Sequence, residues 1–188
     1  MLQRLASLCA FFVLAFSFSS AFADDYDDTI AVFKKAGQSG AYFGKSYGYA
    51  VFPTIGKGGI GLGGAYGQGR VYEKGKYVGD TSVTQLTVGF QLGGEAYSQI
   101  IFFENQQAFK EFTSGNFEFS AQAQAVAITA GASASATTTG SAAGASTSQH
   151  DAKTAGKYYK GMATFTVAKG GLMYEASIGG QKFNYKKK

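Results

Sequence analysis

Dense glycine coincides with strand-like alternation between Gly48 and Phe103, and this combination constrains the fold more than any other feature of the chain. Nearly half of the 27 glycines lie between Gly56 and Gly94, and Tyr, Val, Ile, Leu or Phe separates them at every second or third position. A disordered linker lacks these apolar residues, so the glycines belong to folded β-structure. Every odd-numbered residue from 59 to 69 is glycine or alanine, so one side of this strand has almost no side chains. A neighbouring element can therefore approach that side unusually closely.

The first 23 residues have the layout of an export signal. Arg4 supplies a positive start, Leu5–Phe18 is an apolar run, and Ala21-Phe22-Ala23 fits a small-x-small cleavage site before Asp24. An uncleaved anchor helix is the alternative, but the run is shorter than the roughly 20 residues that span a bilayer. The sequence therefore predicts a mature chain of residues 24–188 in the periplasm.

Composition excludes several kinds of chemistry from this mature chain. Cys9 is the only cysteine and lies in the signal, which removes disulfides and thiolate catalysis; lipidation of Cys9 is disfavoured because Leu8 stands where a small residue is needed. Without Arg4 the chain has 16 basic residues against 12 acidic ones, a net charge of +4. This mild excess suits an anionic surface better than nucleic acid. Acids crowd residues 24–28 and lysines crowd residues 182–188.

The pattern along the mature chain predicts one α+β domain, built on a coiled, mainly antiparallel sheet that is barrel- or sandwich-like, with a few packed helices. We expect helices over 24–36, where Tyr26, Ile30 and Phe33 form a core-facing stripe, and over 105–113, where Phe109 and Phe112 pin the helix to the sheet. We expect a meandering order of strands over 47–53, ended by Pro53, and over 55–72, 81–93, 97–104, 117–127, 162–168, 172–178 and 181–185. Residues 73–76 read as a hairpin turn, and residues 130–150 as a low-complexity, flexible excursion.

The strand over 81–93 should be half-buried. Its apolar parity is Leu86, Val88, Phe90 and Leu92, and its polar parity is Thr81, Gln85, Thr87 and Gln91. The final strand alternates in the same way, with Lys182, Asn184 and Lys186 on one side and Phe183 on the other.

The sequence offers little support for a catalytic site. His150 is the only histidine and lies in the low-complexity segment, the serines have no base partner, and there is no His or Cys set for zinc. Two carboxylate pairs, Glu95 with Glu104 and Asp80 with Glu118, remain as possible acid–base couples, although surface charge is the commoner meaning. We therefore expect no enzymatic activity, no metal and no cofactor.

Residues Ile55 to Gly59 offer a possible anion site, because consecutive glycines can turn N–H groups toward a phosphate beside Lys57. The commoner alternative is a glycine-rich turn with a solvated lysine. Arg70, Tyr72 and Tyr77 could form an interfacial rim nearby, since tyrosine and long basic side chains suit the boundary between water and headgroups. A half-exposed sheet face is the plainer interpretation.

Five segments together resemble the SYLF lipid-binding domain: GYAVFPTIGKGG, GLGGAYGQGRVY, GDTSVTQLTVGFQLGGEAYSQIIFF, FTSGNFEFSAQAQAVA and GGLMYEASIGGQKFNY. The resemblance runs from about Phe33 to the end of the chain. It implies membrane-lipid binding, including phosphoinositides in eukaryotic members, and actin binding in fungal relatives, with no enzymatic activity. The export signal and the acidic DDYDD segment depart from the eukaryotic pattern, and an exported bacterial-type protein meets neither actin nor, ordinarily, phosphoinositides.

Three hypotheses follow. The first is a non-enzymatic envelope protein, peripherally bound to anionic lipid, whose contacts we assign from charge and position to Lys57, Arg70, Lys74, Lys76, Lys182 and Lys186. The second is an envelope scaffold that associates with itself or a protein partner. The third, a small outer-membrane barrel, is disfavoured by the internal helices and the lysine-rich end.

Overall fold

Eight strands form one curled sheet in the part of the chain that the computed structural model describes, which is residues 21–60, 62–88, 95–120, 123, 125–128, 158–169 and 178–188. The strands are β1 Gly48–Ile60, β2 Leu62–Glu73, β3 Lys76–Val88, β4 Glu95–Phe103, β5 Phe117–Glu118, β6 Val126–Ile128, β7 Met162–Lys169 and β8 Lys182–Lys187; the helices are α1 Ala21–Lys35, α2 Gly37–Gly40 and α3 Gln106–Phe112. The predicted α+β class and mainly antiparallel, curled sheet are confirmed.

The strand order is β5-β8-β3-β2-β1-β4-β7-β6, so the chain meanders only through β1, β2 and β3. β4 then returns to the free edge of β1, while β8 comes back from the end of the chain to pair with β3. β6 runs parallel to β7, and the other described pairings are antiparallel. The expectation of a simple meander was wrong, because sequence neighbours pair often but not always.

The inner face of the sheet carries the larger core. Phe52, Ile101, Phe103 and Phe183 are fully or almost fully buried there. α3 closes this face, with the Phe112 ring centroid 4.9 Å from that of Phe103 and 5.0 Å from that of Phe183. The Asn105 side chain caps the helix by accepting a hydrogen bond from the Ala108 N–H at 3.0 Å. The predicted helix and its pinning phenylalanine are confirmed.

The outer face is covered by α1 on part of its width. Ile30 and Phe33 are buried against Val51, Ile100 and Phe102, which lie on β1 and β4. The helical stripe predicted for this segment therefore faces a core, as expected. β4, a nearly continuous apolar run, is buried on both sides and is a central strand.

Glycines on the inner side of β2 accommodate a bulge in β1. The ladder between β1 and β2 shifts register between Val51 and Thr54. A Cβ at Gly67 would lie 2.7 Å from Ile55 Cγ1, and one at Gly69 would lie 2.6 Å from the Phe52 ring. The close approach expected of the glycine-rich parity is confirmed. The prediction that Pro53 ends the strand was wrong. Pro53 lies within β1 at the bulge, where its lack of an N–H is tolerated.

β3 buries the face opposite to the one its composition suggests. Thr81, Val83 and Gln85 point into the core, whereas Leu86 is 90% exposed. The inward polar groups are hydrogen-bonded: Thr81 Oγ1 donates to the Asn184 carbonyl at 2.8 Å, and Gln85 Nε2 donates to the Gly179 carbonyl at 2.9 Å. Because each bond satisfies a buried polar atom, the polar parity can be internal.

A buried amide pair spans the interior between β4 and the start of β8. Gln99 and Gln181 are fully buried, and Gln99 Nε2 donates to Gln181 Oε1 at 2.9 Å. Gln181 Nε2 in turn donates to the Tyr97 hydroxyl at 3.1 Å. This network links β4 to the start of β8 across the interior of the curled sheet, although the two are about 80 residues apart in the sequence.

The long strand predicted over 117–127 is instead two short strands at opposite edges of the sheet, β5 and β6. Backbone bonds hold the segment between them against the turn before β8: Phe119 N donates to the Gln181 carbonyl at 3.0 Å, and Ile178 N donates to the Ala123 carbonyl at 3.2 Å. The predicted signal before residue 21, the strand over 172–177 and the excursion over 130–150 lie outside the described residues. No described helix combines the length and apolar character needed to cross a bilayer.

Candidate functional site

The turn between β2 and β3 presents two of the predicted lysines. Lys74 and Gly75 form the turn with positive φ angles of 50° and 78°, which confirms the hairpin predicted for this position. Lys74 and Lys76 are exposed on either side of Gly75. The Lys74 ammonium also lies 5.3 Å from the centroid of the Tyr47 ring.

Strand β8 brings three further lysines to the same end of the sheet. Lys186 pairs with Asp80 and Lys187 pairs with Gly79, while Lys188 N donates to the Val78 carbonyl at 3.0 Å. All three side chains are exposed, and the Lys188 ammonium lies 4.8 Å from the centroid of the Tyr77 ring. We call these five lysines the basic end: Lys74, Lys76, Lys186, Lys187 and Lys188.

Two acidic residues at this end are held by tyrosines instead of lysines. The Tyr47 hydroxyl donates to Glu73 Oε1 at 2.5 Å, and the Tyr77 hydroxyl donates to Asp80 Oδ1 at 2.7 Å. The bond to Glu73 raises the pKa of Tyr47, and burial, with help from Asp80, raises the pKa of Tyr77 to about 12. Both phenols therefore stay neutral donors at physiological pH.

Because the acids are engaged in this way, the charge of the basic end is left without ion pairs. Among the described residues the one salt bridge joins Lys182 to Glu118, at 3.6 Å. The basic end therefore has five exposed ammonium groups, and each of the two nearby carboxylates accepts a hydrogen bond from a neutral tyrosine. The result is a locally positive surface flanked by aromatic rings.

Arg70 has a different role from the lysines. Its guanidinium carbon lies 4.2 Å from the centroid of the Tyr26 ring on α1 and 5.1 Å from that of the Tyr77 ring. Burial raises the pKa of Tyr26, and the positive charge of Arg70 partly opposes that rise. Arg70 is half-buried in this aromatic setting, so it ties α1 to the sheet.

The six predicted lipid-contacting residues are therefore not one cluster. Lys74, Lys76 and Lys186 meet at the basic end, and Arg70 lies between that end and α1. Lys182 is exposed four positions before Lys186 on β8, about 13 Å away along the strand. Lys57 lies toward the other end of β1, in register with Ala65 and Glu95.

Lys187 and Lys188 were missing from the sequence-predicted site, although the run of lysines at residues 186–188 was visible. What the sequence lacked was the pairing partner of β8. Tyr77 was predicted only as part of an interfacial rim with Arg70 and Tyr72, and no pattern indicated that Tyr47 or Tyr77 would hold an acidic side chain.

The phosphate cradle considered at residues 55–59 is not formed, and neither is a turn. These residues continue strand β1, with Ile55 paired to Gly67 on one side and to Tyr97 on the other. Ile55, Gly56 and Lys57 are paired in ladders on both sides, and Gly58 and Gly59 are paired with β2. These backbone groups therefore cannot converge on an anion as a loop would.

The carboxylate pairs considered for acid–base work are also separated. Glu95 opens β4 and Glu104 follows its end, which places them about 30 Å apart. Asp80 and Glu118 lie two strands apart, and their rows meet β8 four positions apart, which gives a separation of about 16 Å. Both distances exceed the roughly 5–9.5 Å of catalytic carboxylate pairs. Among the described residues no three His, Cys, Asp or Glu side chains are placed to share a metal ion, and His150 lies outside them.

A curled, mainly antiparallel sheet with helices packed on both faces and a basic end defines this chain as an α+β domain with an exposed, positively charged surface. Residues 84–188 match the model of the family described as Ysc84: Las17-binding protein actin regulator. Because the match covers more than half of the chain, the protein belongs to this family, the SYLF family that its motifs indicated. It is a family of binding domains with lipid- and actin-related roles. A search of curated proteins found no match. β1 and β2, at the centre of the sheet, lie before the matched range.

Proposed function

We propose that this protein is a non-enzymatic lipid-binding protein of the bacterial cell envelope, which docks on anionic phospholipid headgroups through the basic end. The observation that carries the proposal is the meeting of Lys74 and Lys76 with the lysines of β8, all exposed and without described ion pairs. The family, as one with lipid-related members, supports the same kind of partner. In an exported protein the actin-related role in the family's description has no counterpart.

The lysines contribute enough electrostatic free energy to hold the basic end at an anionic membrane surface. Each lysine close to an anionic membrane surface contributes about 1 kcal/mol, and the contribution fades beyond a Debye length of about 8 Å at physiological salt. Five lysines on one end therefore suffice for reversible, salt-sensitive attachment. The Tyr47 and Tyr77 rings beside Lys74 and Lys188 suit the headgroup level, where an aromatic body meets water at its polar tip.

Co-sedimentation of residues 24–188 with vesicles tests the proposal. The chain should bind vesicles containing phosphatidylglycerol, bind pure phosphatidylcholine far less, and dissociate in high salt. The double variant Lys74→Gln with Lys76→Gln should weaken binding about thirtyfold, since it removes about 2 kcal/mol.

The matched control is Lys34→Gln with Lys35→Gln, which removes the same charge from exposed positions in the last turn of α1. Its effect should stay below about threefold, because those lysines belong to α1 and not to the hairpin or to β8, which form the basic end. Equal losses of vesicle binding in the two double variants would show that the net charge of the protein, and not the basic end, determines binding. Equal binding to neutral and anionic vesicles would refute it.

A further inference from the structure

Two exposed apolar side chains lie on the outer face of the sheet, at the end opposite the basic end. Leu86 on β3 is 90% exposed, and Tyr66 on β2 is 54% exposed. Tyr66 pairs with Thr84, so Leu86 is its diagonal neighbour, at about 7–8 Å. Because the leucine and the tyrosine are neighbours on adjacent strands, their apolar surfaces form one contiguous exposed patch.

These two side chains are exposed because several of their cross-strand neighbours are glycines, which have no side chains. Leu86 pairs with Gly64, which pairs with Gly58, and Tyr66 pairs with Gly56. A Cβ at Gly56 or Gly58 would have nothing within 4 Å, so the backbone around the two side chains is bare. Unlike Gly67 and Gly69 on the inner side, these glycines are not required by packing within the sheet.

Lysines flank the pair on both sides. The row of cross-strand neighbours that contains Tyr66 runs across six strands, from β7 to β8: Lys169, Ala96, Gly56, Tyr66, Thr84 and Lys182. Five strand spacings separate the two lysines, about 24 Å along the curled sheet. Both are exposed; Lys169 Nζ donates to Thr54 Oγ1 at 2.7 Å, and Lys182 lies 3.6 Å from Glu118.

The apolar area of this surface indicates which kind of partner it can bind. A leucine and a tyrosine offer about 200–300 Å² of apolar surface. A stable protein interface buries about 800 Å² on each partner, and the neighbouring glycines add no side chains. A second copy would also bring its own lysines against these. A bilayer can accept a single apolar side chain, and its anionic headgroups complement the flanking lysines.

We propose that Leu86 inserts below the headgroups of an anionic membrane, with Tyr66 at the interface and Lys169 and Lys182 beside lipid phosphates. The inference rests on the proposed function and adds an apolar anchor to it. Lys182 and Lys186 share the outer side of β8, which therefore connects this anchor with the basic end on one face. The protein would lie with the outer face of β2, β3 and β8 against the membrane.

A tryptophan reporter tests the insertion, because the chain contains no tryptophan of its own. In Leu86→Trp, emission should shift to the blue on phosphatidylglycerol vesicles and be quenched by lipids brominated on their acyl chains. The control is Gln107→Trp, at an exposed position on α3, which packs on the inner face, and its emission should not change. Leu86→Ser should weaken vesicle binding about tenfold without altering its salt dependence or the stability of the fold.

The outcomes separate this inference from the proposed function. Salt-sensitive co-sedimentation with no change in Leu86→Trp emission would overturn the insertion and leave the proposed function standing. Failure of the unmodified chain to co-sediment would overturn both. A blue shift that needs no vesicles and grows with protein concentration would assign the surface to a second copy of the chain and refute the membrane.

Discussion

Gly69 and Gly58 allow the role of the glycine-rich parity to be measured with one pair of substitutions. Both glycines lie within strands, Gly69 on β2 and Gly58 on β1. An alanine Cβ at Gly69 would lie 2.6 and 2.7 Å from two atoms of the Phe52 ring and 2.7 Å from the Val51 carbonyl oxygen. At Gly58 the same atom would have nothing within 4 Å.

The ring of Phe52 cannot easily yield to the new methyl group. Phe52 is fully buried, and its centroid lies 5.7 Å from that of Phe183, on the far side of the core. The Val51 oxygen belongs to the backbone at the β1 bulge. Overpacking of this kind costs about 1–3 kcal/mol, offset by about 0.5 kcal/mol because alanine restricts the unfolded chain more than glycine.

We therefore expect Gly69→Ala to lower the free energy of unfolding by about 0.5–2.5 kcal/mol. For a chain of this size, with about 2–4 °C per kcal/mol, Tm should fall by about 1–10 °C. Gly58→Ala should leave Tm unchanged or raise it by about 1–2 °C. Urea denaturation followed by circular dichroism, together with a thermal scan, measures both. If the two variants lose stability equally, the close approach of β1 is not what the inner glycines provide.

Further predictions concern the buried amide network and tyrosine ionisation. Gln181→Leu should lower the free energy of unfolding by about 2–3 kcal/mol in urea denaturation, because it leaves the Gln99 amide without its partner. Gln68→Leu, at an exposed position, should lower it by less than about 0.5 kcal/mol, and similar losses in the two variants would contradict the network's role. Burial raises the pKa of Tyr97 to about 12, so its contribution to stability is complete below pH 10 and is lost as pH rises toward 12, since only the unfolded state ionises in that window. The stability difference between the unmodified chain and Tyr97→Phe should accordingly shrink by about 2 kcal/mol between pH 9 and pH 11.5, and a difference that grows would show the sign to be wrong.

Local patterns predicted the helices well because each carries its signal within a few turns of chain. The stripe of Ile30 and Phe33 places one face of α1 against the sheet, and Asn105 with Phe112 fixes the start and the buried side of α3. The hairpin at Lys74 and Gly75 was equally local. In each case the residues that determine the structure are also its neighbours in sequence.

Strand faces were harder to predict. Alternation shows that a strand has two sides but not which of them is covered. β8 was predicted correctly because Phe183 is flanked by charged and polar residues. β3 was not: its interior side holds Thr81 and Gln85, whose hydrogen-bond acceptors lie about a hundred residues away in sequence, at Asn184 and Gly179.

The sequence by itself determined the α+β class, the family, the hairpin that exposes Lys74 and Lys76, and the charged side of the last strand. The tertiary structure decided that this last strand pairs with β3, which brings Lys186, Lys187 and Lys188 to that hairpin and leaves Leu86 exposed at the other end. Strand pairing across such distances depends on the closure of long loops and on the packing of a shared core. Local residue preferences do not encode either of these.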